Sequence, residues 1–414
     1  KMMVTPWGRA GHSRGIARAL RRCGSSSSSS SPFVTLRPGA VEDVCRAMLE
    51  ACGSSSEEAR TVAEDLVLSN LRGHDSHGVG YLPEYIKTAR AGKLVPNQTL
   101  QVVSDLGALL VLDAQRGYGQ VMARQAMDMA ISRAESHGVC LATLRNSHHL
   151  GRIGGLAQRA TDRNLASVHF VNVAGHPPLV APFRGADARL GTNPVCLAFP
   201  MPNGQPPVIH DMATSKVALG KVRQALQRGD ELPLGLVMNA AGNDSTDPGV
   251  MFPNSTRGKS LGSTVNQGQR GALIAAGEHK GYGLALFSEI FAAVASGGQT
   301  IAPHHEKPPA ILNSMMVMVF DPVRTSGASS MEPVYDELSK LVEYVQGSPH
   351  RTQEDPLDEG VLYPGQRSQC TFDDRSEEGG FYLDMGTWSS LQEVGAEVGV
   401  SAEAFARCVE KVER

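Results

Sequence analysis

The chain has 414 residues, 41% hydrophobic and 20% charged, with a formal net charge of −3. That composition is globular and long enough for one large domain or two to three smaller ones. The charge balance excludes a bulk nucleic-acid binder, and no run of ~18 or more apolar residues offers a spanning helix, so neither nucleic acid nor membrane is an expected partner.

The N-terminus differs from the rest. Residues 1–40 carry Lys1, Arg9, Arg14, Arg18, Arg21, Arg22 and Arg37 and no acid, and residues 25–31 are all serine. This is transit-peptide composition, so residues 1–37 are expected to direct mitochondrial import; the alternative is an extension without an address on a cytoplasmic protein. Residues 38–72 read as two helices, from Val41, Val44, Met48 and Leu49 and then, after Ser54–Ser56, from Val62, Leu66 and Leu68. "LPEYIKTARAGKL" predicts a short helix ending at Gly92. Residues 101–113 predict strands around a turn at Asp105–Gly107. A helix over 118–137 stops at "SHG". A strand follows at 139–147, a glycine-opened helix in "HHLGRIGGLAQRATDRN", and another strand in "LASVHFVNVAG". Residues 250–270 read as a surface loop, 277–297 as an apolar helix, "SMMVMVFDP" as a strand and 347–380 as loop-rich. Alternating strand and helix gives an α/β class with a mixed sheet.

Seven scattered cysteines, with no C-x-x-C pair, fit neither a disulfide framework nor a zinc site. His304–His305–Glu306 is the nearest approach to a metal cluster, but in a Pro-rich loop, and no metal site is expected. Four other stretches set polar residues beside glycine: "GHDSHG" (73–78), "RNSHHLGRIGG" (145–155), "IHDMATSKVALGK" (209–221) and "EHKGYGLALFSEI" (278–290). The second lies between a strand and a helix start, where side chains project into crevices. The fourth opens a helix whose N–H groups can hold a phosphate. Plainer readings stand beside these: Asp75 capping its own turn, Asp211 capping a helix, Lys280 as a solvated cation. No G-x-G-x-x-G follows a strand, so the ordinary dinucleotide fingerprint is missing.

Together these blocks, with "VAPFRGADARLGTNPVCLAFP", resemble the type-2 malate/L-lactate dehydrogenases. That family also holds sulfolactate and ureidoglycolate dehydrogenases and a cyclic imino-acid reductase. "GHDSHG", "NSHHLGRIG", "AILNSMM" and "VQGSPH" are most similar to its hydroxycarboxylate dehydrogenase B branch. The resemblance covers residues 38–412. It implies a non-Rossmann NAD(P)-binding fold, a discontinuous cofactor domain over about 105–320, and a helical remainder from 38–104 and 321–412. It also implies a homodimer that interconverts 2-hydroxy and 2-oxo acids with NAD, or NADP as the alternative. By the resemblance, His149 is the proton acceptor, with His77 the runner-up. Ser76 orients His77 or binds substrate. Gly151, Arg152 and Ile153, then Ile209, His210, Asp211, Met212 and Ala213, then His279, Lys280, Asn313, Gly365 and Gln366, meet the cofactor, as does His77.

Two departures stand out. Many relatives carry an arginine four residues after the "SHG" histidine, where this chain has Tyr81, and "GHPPLVAPF" is one residue longer at His176–Pro178. Arg152 is then the expected carboxylate clamp. It follows His149 by three residues, a spacing that shares a helix face. The other readings are a cyclic imino-acid reductase and a catalytically inactive paralogue that binds without turnover.

Overall fold

The computed structural model describes residues 33–253, 270–303, 310–349 and 360–409. Residues 1–32, on which the transit-peptide expectation rests, most of residues 250–270 and His304–His305–Glu306 lie outside the described residues. The fold starts ahead of residue 38. Strand β1 (Phe33–Leu36) pairs antiparallel with β12 (Phe381–Asp384), so these four residues belong to the domain.

Helices α1 (Pro38–Ala51), α2 (Ser56–Leu71) and α3 (Leu82–Arg90) come next. Pro38 sits in the first turn of α1, where its missing N–H costs nothing. Ser55 caps α2 by accepting from the Glu58 N–H, and Glu57 and Glu58 add acids to the first turn. "DSHGVGY" folds as two successive 3-10 turns, Asp75–His77 and Val79–Tyr81.

The central sheet is built from β2 (Gln101–Asp105), β3 (Leu109–Asp113), β4 (Val139–Ser147), β5 (Ala166–Ala174), β6 (Val195–Phe199), β7 (Val208–Met212) and β11 (Leu312–Phe320). Their order is β2-β3-β4-β11-β5-β6-β7, mixed, with only β3 and β4 parallel. Helices α4 (Gly119–His137) and α5 (Ile153–Thr161) share a core with it. Gly138, at φ +87°, ends α4 in the left-handed conformation that favours glycine. A small lobe holds α6 (Leu219–Arg228) and the short strands β8 (Val237–Met238), β9 (Asp244–Ser245) and β10 (Ala272–Leu273), with its own core around Val222, Val237, Met251 and Leu273. Helix α7 (His279–Ser288) runs on into a π-helical stretch, Glu289–Val294, that packs on the sheet.

Helices α8 (Met331–Gln346), α9 (Gln366–Glu377), α10 (Met385–Glu397) and α11 (Ala402–Cys408) complete the described chain. α9 lies where the sequence reads loop: it is so polar that only Gln366 is buried, which hides the helical period. Leu391 and Phe405 of α10 and α11 share one core with Met48, Leu66 and Tyr85 from the other end of the chain. Among the described residues no helix is long and apolar enough to cross a membrane.

Candidate active site

The site begins at the "GHDSHG" turn. Asn70, buried near the end of α2, donates from Nδ2 to Asp75 (2.8 Å) and accepts the Val79 N–H at Oδ1 (2.8 Å). A Cβ at Gly78 would stand 2.1 Å from that same Oδ1, so only glycine fits there. Asp75 also meets Arg375 of α9 at 3.2 Å. Its carboxylate therefore braces the turn and, among the described residues, hydrogen-bonds no imidazole. The brace sets Ser76 Oγ 3.0 Å from His77 Nδ1.

The loop after β4 brings the second histidine. The His77 and His149 ring centroids are 5.6 Å apart with planes at 15°. Tyr81 lies against His149 at 4.2 Å and 7°. Beneath them, Tyr85 Oη is 2.8 Å from His149 Nδ1, and the Gln120 amide nitrogen is 2.8 Å from Tyr85 Oη. His148 sits edge-on to Tyr85 with both ring nitrogens buried and unpartnered among the described residues.

Arg152 corrects one expectation. It is the extended N-cap of α5 (φ −79°, ψ 114°), and Gly151 before it has φ +75°. His149 and Arg152 therefore share a loop and not a helix face. Arg152 lines a cleft with His77, Gln120, Leu150, Gly151, Asp65 and Arg124, and His149 reaches it through its ring contact with His77. Asp211, at the end of edge strand β7, accepts the Gly154 N–H at 2.7 Å, which caps the start of α5.

Burial sets the electrostatics. It holds the His149 imidazole well below the usual histidine range, and the neighbouring His77 and His148 push the same way. His77 is also lowered by burial, with Asp211 opposing. His74 falls to about 3, through burial and then Arg152 and His77. Burial also weakens the Arg152 cation, and the charges of Asp211 and Asp65 sustain it. Neutral histidines beside a buried guanidinium form a site where a proton and an anion can be handled together.

The remaining expected residues fall along β7 and its neighbours. Ile209 N–H donates to Pro364 O (2.9 Å), and Gly365, at φ +97°, packs on the Ile209 backbone. His210 Nε2 is 2.9 Å from Met212 Sδ. Ala213 precedes Thr214, whose carbonyl accepts the Ala276 N–H at 2.8 Å next to the start of α7. That start is less open to phosphate than the sequence suggests. The Lys280 and Gly281 N–H groups already donate to Gly277 and Ala276, while the His279 and Lys280 side chains remain exposed. Asn313 spends its amide internally, accepting from Leu150 N–H and donating to Asn172 O. Gln366 Oε1 accepts from Tyr363 N–H and Gln346. Ile153 is buried at the first position of α5.

Tyr85 and Gln120 were not legible as site residues. Each reads as one more position on the buried face of a helix, and they stand 64 and 29 residues from His149.

The chain matches the family model described as malate/L-lactate dehydrogenase over residues 37–392. It is 37% identical to hydroxycarboxylate dehydrogenase B of Escherichia coli O157:H7, over 87% of this chain and 93% of that one. It is 34% identical to an L-lactate dehydrogenase of Cupriavidus necator, over 87% and 97%. The solved sulfolactate dehydrogenase of Methanocaldococcus jannaschii superposes with a TM-score of 0.73 at 26% identity, covering 89% of this chain and 98% of that one.

Proposed function

The chain belongs to the malate/L-lactate dehydrogenase family, and from that premise we propose that it interconverts 2-hydroxy and 2-oxo acids with a nicotinamide cofactor, preferably NAD. The observation that carries this reading is the pairing of His77 and His149, from two distant segments, beside a cleft that Arg152 also lines. A dinucleotide is compatible with that wall: the Gln120 amide has one end buried and unpaired there, awaiting a polar partner, while Leu150 and Leu156 supply apolar surface. Of the residues expected to meet the cofactor, His77, Gly151 and Arg152 line this cleft, and Asp211 binds the backbone of Gly154 beside them. Bound there, the cofactor supplies the hydride donor or acceptor.

The protein's part is proton and charge. His149, neutral because buried, takes the hydroxyl proton in the oxidation direction and returns it in reduction. Arg152 pairs the substrate carboxylate, whose charge would otherwise be costly in a partly buried cleft. Ser76 orients His77.

Quenching of NADH fluorescence by added protein, followed by turnover on a panel of 2-oxo acids and cyclic imines, tests the reading. Turnover of 2-oxo acids is expected. NADH binding with no turnover of any substrate would leave a binding protein instead, and cyclic-imine turnover alone would make it an imine reductase.

Two further proposals concern its setting. The exposed stripe Leu284, Phe287, Ile290 and Val294 on α7 and its π-helical extension supports a homodimer, because apolar faces of that kind mark association surfaces. Residues 1–32, basic and acid-free, support mitochondrial import. Fusing them to a fluorescent reporter should give a mitochondrial signal, and a diffuse one would end that proposal.

A further inference from the structure

Two buried polar groups, Gln120 of α4 and Tyr85 of α3, stand in a row behind His149. Tyr85 is fully buried, and Gln120 is nearly so. The two contacts along the row are each 2.8 Å. With its nitrogen towards Tyr85, Gln120 leaves its amide oxygen buried without a partner among the described residues; the exchanged amide would leave its NH2 there, so burial alone favours neither orientation. The two ends of a carboxamide are almost the same size, so the chemistry of the neighbours decides which one faces the phenol.

The row allows few proton arrangements. A phenol has one proton to donate, and a neutral imidazole carries one proton and one lone pair. If Gln120 donates to Tyr85, the phenol donates to His149 Nδ1. The ring's own proton then sits on Nε2, and neither nitrogen is free to act as a base. If Gln120 turns its carbonyl to Tyr85, the phenol donates to that carbonyl and accepts Nδ1–H from His149. Nε2 is then bare.

We propose that the second arrangement holds: Gln120 and Tyr85 are positioning residues that fix the proton of His149 on Nδ1 and reserve Nε2 for the substrate proton. This rests on the reading of His149 as the acid/base. It needs no hydrogen to move between directions. When Nε2 gains the substrate proton, Nδ1–H keeps its bond to Tyr85, and when Nε2 returns it the row is unchanged. The exchange also places the amide NH2 where the unpaired oxygen stood, as a donor at the wall of the cleft.

The test uses the full chain labelled with 15N-histidine, at a pH above the histidine range, with the His149 signals assigned by their loss in His149→Gln. Wild type should show a protonated Nδ1 and a bare Nε2. Tyr85→Phe should lose that preference, lower kcat by about 10–100-fold, leave NADH affinity within about two-fold and shift the pH profile. At a pH where its carboxylate is ionised, Gln120→Glu can only accept, so it should keep the Nδ1–H form and more activity than Gln120→Leu. A wild-type His149 protonated on Nε2 would overturn the proposal, and so would Gln120→Glu behaving like Gln120→Leu. The nitrogen spectra need no turnover. A bare Nε2 in a His149→Ala-tolerant enzyme therefore refutes the acid/base role, while a protonated Nε2 refutes the relay. If Tyr85→Phe does not fold, the wild-type spectrum and the two Gln120 variants decide the matter.

Discussion

Tyr81 lies flat on His149, 4.2 Å away and 7° from parallel. The position at which the resemblance leads one to expect an arginine thus holds a ring that packs on a histidine. A stacked pair of this kind contributes about 0.5–1.5 kcal/mol. Removing it in Tyr81→Ala should let the imidazole swing and lower kcat by about 2–10-fold, whereas Tyr81→Phe keeps the ring and should stay near wild type. Steady-state kinetics on both variants checks this, and equal losses in the two would point to the hydroxyl instead.

His149→Ala should remove about 10²–10⁴-fold of turnover while NADH still binds, because a base acts in the transition state and the cofactor is held by many separate contacts. His77→Ala is the matching comparison. If His149→Ala stays within a few-fold and His77→Ala does not, the acid/base is His77, whose Nδ1 already meets Ser76.

Arg152 has no ion pair among the described residues, although Asp211 and Asp65 sustain its charge. Arg152→Met should raise KM for 2-oxo acids by about 10–100-fold, the scale of a charge-assisted hydrogen bond. Arg152→Lys should recover only part, since an ammonium lacks the planar fork. Measuring the NADH Kd on the same proteins separates the roles. Weakened NADH binding with an unchanged oxo-acid KM would place Arg152 on the cofactor.

His148 has an acid liability. Burial pulls its pKa down from 6.5 to about 4, and neither nitrogen has a partner among the described residues. The unfolded chain takes a proton that the folded chain refuses, so stability falls as pH drops below about 6.5, by about 2 kcal/mol at pH 5 from this ring. His169, lowered to about 3 by burial, acts in the same direction. His148→Phe keeps an edge-on ring against Tyr85 without the titration. Between pH 7.5 and 5 its Tm should fall less than that of wild type. Parallel curves would show that the proton uptake lies elsewhere.

Local signals were the readable ones. Helix α4, with Gly138 behind it, and the turn between β2 and β3 follow from spacing and glycine placement within a dozen residues. "GHDSHG" and "SHHLGRI" stood out because histidine beside glycine is poor core material. What escaped were decisions made over long distances. β1 is too short to announce itself and exists because β12 pairs with it from the far end of the chain. Asp75 reads as the cap of its own turn, but Asn70 and the distant Arg375 are what its carboxylate meets. The three-residue spacing of His149 and Arg152 suggested one helix face. Gly151 instead turns the chain at φ +75°, so the two reach the site from a loop.

The Arg37 N–H donates to Cys408 O at 2.8 Å, and the Arg37 guanidinium reaches Val409 O at 3.0 Å. The core that α1 to α3 begin is therefore completed by α10 and α11, far along the chain. On the ribosome, the core of Met48, Leu49 and Leu66 stays incomplete until Leu391 and Phe405 have left the exit tunnel. Such a chain has a long exposed interval during its synthesis, which makes it a natural client for holding chaperones. A nick that frees α11 would unfasten α1, and with it the core beneath the turn that carries His77.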